Sequence, residues 1–146
     1  MKIIVYILSI VVSLSFSGQG FSKEKDTEEQ FFRENQGEVK LVIADQIAAF
    51  NSQNVDRAYF HASRSIKAIF PSSEIFGTMV KNSYPMIWNP KSYEFLSTFR
   101  ASDGMLQRVM FKDQSNDMHF FDYVLENNGE RWVISGVYMV QGEAGA

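Results

Sequence analysis

Met118-His119-Phe120-Phe121-Asp122-Tyr123-Val124-Leu125-Glu126-Asn127-Asn128-Gly129-Glu130-Arg131-Trp132-Val133-Ile134-Ser135-Gly136-Val137-Tyr138-Met139-Val140 is the stretch on which the fold turns. Two period-2 runs flank Asn128-Gly129, a dipeptide suited to the positive φ angles of a type I′ turn, so the stretch predicts a β-hairpin with a two-residue loop. That register sets Glu126 against Arg131, Leu125 against Trp132, Tyr123 against Ile134, Asp122 against Ser135, Phe121 against Gly136 and His119 against Tyr138. Both strands then divide into the same two faces, as a fixed register requires. One face carries Leu125, Tyr123, Phe121, His119, Trp132, Ile134 and Tyr138 and is the expected roof of a core. The second carries Met118, Phe120, Val124, Val133, Val137 and Met139 around an Asp122/Ser135 pair. Gly136 opposite Phe121 leaves a gap for the ring and permits curvature.

Upstream, period 2 continues back to Pro90. Four strands are expected, Tyr93–Arg100, Met105–Lys112, Met118–Glu126 and Arg131–Val140. The first hairpin reads best with a three-residue loop, Ser102–Gly104, which puts Phe95 opposite Phe111 and Ser97 opposite Val109 with Gly104 left-handed. Before Pro90 the period is 3.6. Thr27-Glu28-Glu29-Gln30 has the form of a capping box, and Gly37 is expected to bend or split the helix it opens. Val39, Val42, Ile43, Ile47 and Phe50 form one apolar stripe. Asn54 caps a short second helix with Val55, Ala58, Tyr59 and Ala62 inward, and Ile66, Ile69 and Phe70 extend that face to Pro71. Ser72 or Ser73 caps a third, with Glu74 in its first turn and Ile75, Phe76, Met79 and Val80 inward. Met86, Ile87 and Trp88, between Pro85 and Pro90, read as irregular or short extended chain. N-terminal helices followed by a curved four-stranded antiparallel sheet define an α+β two-layer domain.

The chain has 146 residues, one domain's worth, with no cysteine, a net charge of −3 and 14% aromatic residues. Met1-Lys2, the apolar run Ile3–Leu14 and the small residues Ser15, Ser17, Gly18, Gly20 and Ser22 have the form of a secretory signal peptide. As a helix these twelve residues would reach only about 18 Å, short of a hydrocarbon core of about 30 Å. The expected organisation is a signal peptide over 1–22 and a single domain over 23–146, giving a periplasmic or secreted protein with no stable membrane insertion after cleavage. The tail from Gly142 to Ala146 has nothing to pack with.

Gln46–Phe50, Ala58–Ser63, Ile66 with Phe70, Phe76–Val80, Tyr84-Pro85, Pro90, Gln107-Arg108-Val109 and Gly129–Gly136 together resemble an uncharacterised bacterial family of exported proteins. That family is labelled a domain of unknown function and has a cystatin-like or nuclear-transport-factor-2-like fold. The resemblance runs from Val39 to Val140, and its middle block is the specific part. Where relatives often read Ala-Ser-Pro, this chain has Ala62-Ser63-Arg64. The resemblance implies a fold and supplies no catalytic residues, and a fold does not settle a function.

The residues themselves carry few chemical signals. Absence of cysteine excludes disulfides, thiol nucleophiles and Cys-based metal sites. His61 and His119 have no metal-ligand spacing, and no calcium loop, nucleophile elbow or phosphate loop is present. No cofactor, metal site or catalytic residue is therefore assigned. The acidic balance, with no long basic run, argues against nucleic acid. Tyr59, His119 and Tyr138 are the candidate ligand-binding residues, placed to line the mouth of a cavity between helices and sheet. Phe120, Asp122, Val124, Val133, Ser135 and Val137 are the candidate interface, an apolar face for a second copy or an envelope protein. The leading expectation is a non-catalytic binding or interaction domain of the cell envelope. The alternatives are a pocket protein for a small apolar ligand, including acid–base isomerase or dehydratase chemistry, and a structural accessory protein.

Overall fold

The structure, a computed structural model, describes residues 20–141, with side chains from residue 23. Residues 1–19 of the expected signal peptide and the C-terminal tail lie outside the residues so described, and the last three of the expected peptide, Gly20 to Ser22, open the first helix. Among the described residues five helices precede four strands: α1 Gly20–Asn51, α2 Val55–Phe60, α3 Arg64–Ile69, α4 Ser73–Ser83, α5 Pro85–Trp88, then β1 Ser92–Ala101, β2 Gly104–Lys112, β3 Met118–Asn127 and β4 Trp132–Val140. The strands form one open antiparallel sheet in the order β1-β2-β3-β4. Helices pack on one face of it, which is the expected α+β two-layer arrangement of the cystatin-like or nuclear-transport-factor-2-like kind.

The apolar stripe of α1 is what anchors the layers. Val39, Ile43, Ile47 and Phe50 are buried against Met105, Val109, Phe111, Phe121, Tyr123 and Leu125 of the sheet. Each such side chain contributes about 1.5–3 kcal/mol on burial. Gly37 does not split α1, contrary to expectation. A mid-helix glycine costs only about 1 kcal/mol, and tertiary contacts on both sides outweigh it: Asn35 accepts from Trp132 Nε1 at 3.0 Å, and Val39 begins the buried stripe. Thr27 is likewise no cap; inside the helix, its hydroxyl donates to Lys23 O at 2.8 Å.

The short helices start where their caps stand. Asn54 accepts from Arg57 N at 3.0 Å, Ser63 from Ile66 N at 3.3 Å and Ser72 from Ile75 N at 3.2 Å. Ala62 leaves α2 and pairs in parallel with Ile134: Ser63 N donates to Ile134 O and Ile134 N to His61 O, each at 2.8 Å. This clip ties the helical layer to the edge of β4. Ile75 is exposed rather than inward, and Met86 to Trp88 form the turn of α5, started by Pro85 at a position where its missing N–H is not needed.

Both hairpin registers differ from expectation. In the first, a two-residue turn, Ser102-Asp103, joins Ala101 to Gly104, and a bulge between Phe95 and Thr98 sets Phe95 opposite Val109. Gly104 is in the strand, where any Cβ would collide with Leu125 O, so it serves close approach and not a left-handed turn. In the last hairpin the turn is centred one residue later than expected. Asn128 N donates to Arg131 O, and the Asn128 side chain accepts from Glu130 N and Arg131 N. Gly129 then takes the positive φ (96°) at the first central position, where a type II′ turn wants glycine. Asn127 faces Trp132 and Leu125 faces Ile134, until Ser135 is extruded as a bulge and Val124 faces Gly136. Beyond it Tyr123 faces Val137 and Asp122 faces Tyr138. One extra residue exchanges the faces of everything after it. Val137 turns toward the helices, and Tyr138 turns to the outer face.

Candidate functional site: an apolar cavity beside the bulge

The Ala62 clip covers β4 only at Ile134. Past it, between the bulged end of β4 and the α3–α4 layer, lies a cavity of about 280 Å³. Ile66, Ile69 and Phe70 border it on one side, Phe76, Met79 and Val80 on another, and Ile134 to Tyr138 on the sheet side. Gln46 and Phe50 of α1, Tyr84 and Ile87, and Tyr123 of β3 complete the wall. Among these described residues none is Asp, Glu, His, Lys or Arg.

The bulge shapes the sheet side of this space. Ser135 is pushed out of the ladder and fixed by its hydroxyl, which donates to Val124 O at 3.2 Å. Gly136 then has no Cβ, and the Tyr138 ring lies over it; a Cβ there would sit 2.6–2.9 Å from ring atoms. Tyr138 is 61% exposed, with its ring on the outer face.

Two of the polar groups in this wall, Gln46 and Tyr123, are buried. Gln46, only 3% exposed, donates through Nε2 to Ala58 O at 3.2 Å, which orients its amide. Tyr123 is fully buried, and its hydroxyl has no hydrogen-bond partner. Burial pushes the Tyr123 phenol far above its ordinary range, so it is a neutral O–H donor at every working pH. A buried hydroxyl without a partner costs about 1–3 kcal/mol and calls for an explanation.

The sequence-derived ligand residues do not converge. Of the three, only Tyr138 borders the cavity. Tyr59 packs on Phe76 and donates to Phe70 O at 2.5 Å. His119 sits at the start of β3, where the Asp113 carboxylate accepts from its Nε2 at 2.8 Å. The other Asp113 oxygen accepts from Ser115 N and Asp117 N, so this pair shapes the β2–β3 turn. The hydrogen bond from His119, with those from the turn, holds Asp113 below the usual carboxylate range.

Of the candidate interface residues, Phe120, Asp122, Val124 and Val133 keep to the outer face, and Ser135 and Val137 leave it. Asp122 pairs with Arg108 across the strands at 2.8 and 2.9 Å, two parallel bonds to one carboxylate, and does not meet Ser135. Phe120 and Val124 share its outer face, half-buried. Val133 is buried, and Val137 packs against the core on the helix side.

One cluster escapes a reading of the sequence. Asp45 of α1 accepts from Arg57 Nε at 3.0 Å and lies 2.6 Å from His61 Nε2. Arg57 also donates to the second Asp45 oxygen. Arg57 first, then His61, holds the Asp45 carboxyl below the usual range. His61 Nδ1 is buried without a partner. Only the turn from Asn51 to Asn54, which folds α2 back on α1, brings these groups together. Gln46 was open to detection, because it interrupts the Val39–Phe50 stripe at a buried position.

Helices closing an apolar cavity against one face of an open antiparallel sheet place the molecule among two-layer α+β pocket folds. The chain belongs to the family described as Domain of unknown function (DUF4864), which matches residues 33–145. No curated protein and no solved structure matches it. Among the described residues no three of His, Asp and Glu gather as a metal-binding group, and no helix is long and apolar enough to cross a membrane.

Proposed function

We propose that this chain binds a small, mainly apolar molecule in the cavity between α3, α4 and β4, and acts as a binding module rather than a catalyst. The observation that carries the reading is the cavity itself: about 280 Å³, mainly apolar, with the unpartnered Tyr123 phenol in its wall. Small-molecule sites have this composition, an apolar lining with a few polar groups that fix orientation. Acid–base chemistry needs a group that titrates near the working pH within reach of substrate. The described lining offers only phenols, a hydroxyl and an amide, which favours binding over isomerase or dehydratase chemistry.

The leader-like N-terminus supports a setting in the periplasm or outside the cell. Native mass spectrometry of the full chain purified from its own envelope or medium tests both parts of the proposal. A released small molecule and a mature start between Ser17 and Lys23 are expected. Protein that carries no adduct and takes up no apolar compound on titration overturns the binding reading. A chain that begins at Met1 and fractionates with membranes overturns the export reading.

A further inference from the structure

We infer that the occupant is an uncharged, mainly apolar molecule bearing a hydrogen-bond acceptor, a ketone, ester or ether, which accepts from the Tyr123 hydroxyl. The inference rests on the cavity reading and deepens it. Charge is the first discriminator. A carboxylate or ammonium group taken into this cavity loses its hydration and finds no counter-charge among the described lining residues, so the charged form is excluded by desolvation. Lys67, the cation on the adjoining helix, stands over the Tyr59 ring at 5.1 Å and is not part of the lining.

Polarity is the second. The Tyr123 hydroxyl is a donor with no acceptor in the protein, and it is closed off from solvent, so water is not its standing partner. Tyr123 stands in the cavity wall, and the inferred acceptor meets its hydroxyl once a side chain of that wall shifts. Gln46 donates one N–H to Ala58 O, which leaves its second N–H and its amide oxygen free to meet a ligand. Size is the third. The volume lies just under the range of about 300–1,000 Å³ typical of drug-sized sites. A compact molecule of about eight to ten carbons suits it, and a full-length acyl lipid does not.

The test is titration calorimetry of the full chain at pH 8 with three eight-carbon probes, octane, 2-octanone and octanoate, repeated on Tyr123→Phe. This substitution removes only a buried, unpaired hydroxyl, so the variant folds. The expected result is that 2-octanone binds at least tenfold more tightly than either other probe, and that Tyr123→Phe erases its advantage over octane while octane binding persists. If octanoate binds as tightly as the ketone, or the preference survives in Tyr123→Phe, the inferred ligand class falls and the cavity reading stands. If none of the three probes binds, the cavity reading falls and the inference falls with it.

Discussion

Trp132 shows how much one residue of this fold carries. Its ring is 3% exposed, 6.4 Å from Phe31, and its Nε1 donates to Asn35 at 3.0 Å, so it joins the first half of α1 to the start of β4. Trp132→Ala removes a large buried ring and leaves Asn35 without its donor, and should cost about 3–5 kcal/mol in denaturant unfolding. A loss under about 1 kcal/mol would show that the ring is not packed as described. Tyr123 predicts the opposite sign. Its hydroxyl is buried without a partner, so Tyr123→Phe should raise stability by about 1 kcal/mol, because the desolvation penalty disappears while the ring contacts remain. A clear destabilisation in the same assay would mean that the hydroxyl has a bond in the folded protein. Gly136 is a third case, where the missing side chain is what matters: Gly136→Ala should force the Tyr138 ring off its seat, visible as a change in the near-ultraviolet dichroism of tyrosine.

At the level of elements, the weak joints are the short helices, and side chains hold them. α2 and α3 have six residues each, too few to be stable alone. α2 is fastened to α1 by Asp45 with Arg57 and His61, and the 61–63 segment is fastened to β4 by the Ile134 clip. The Asp45 carboxyl has a lower pKa folded than its ordinary value of 3.8. A group of this kind stabilises the fold fully above its unfolded pKa, and the contribution is lost as pH falls through the folded value. Asp45→Asn should therefore be less stable than the parent by a constant amount above about pH 5, and the gap should close below pH 4. Parallel denaturant curves from pH 7 to pH 2.5 measure it. A gap that stays constant into acid would assign the effect to packing rather than charge. Because the pair is partly solvated, added salt should narrow the gap as well.

Across the whole molecule, the layer order was legible because it depends on repeated signals. Val39, Ile43, Ile47 and Phe50 recur along α1, and Phe121, Tyr123 and Leu125 alternate along β3, so no single residue could reverse the assignment. The pocket was not legible, because it depends on single events. A turn centred on Gly129-Glu130 instead of Asn128-Gly129 moves the register by one residue on each strand. The Ser135 bulge then sends Val137 inward and Tyr138 outward. Alternation cannot reveal a bulge when serine and glycine, which fit either face, stand at the point of change. The His119–Asp113 pair is six residues apart and local, whereas His61 and Asp45 meet only through tertiary folding. The same logic yields a test of the cavity as a property of the fold. Val137 is half-buried on its wall, beside open volume. In a well-packed core Val137→Phe would cost about 1–3 kcal/mol from overpacking. Here the added ring has space to enter, so the cost should stay below about 1 kcal/mol. The variant should also lose its response to ligand. With 2-octanone at about 100 times its dissociation constant the parent should gain about 2.7 kcal/mol of stability, a rise in Tm of about 10 °C for a domain of this size. Val137→Phe should gain almost nothing, and a full ligand response in a stable Val137→Phe protein would place the binding site elsewhere.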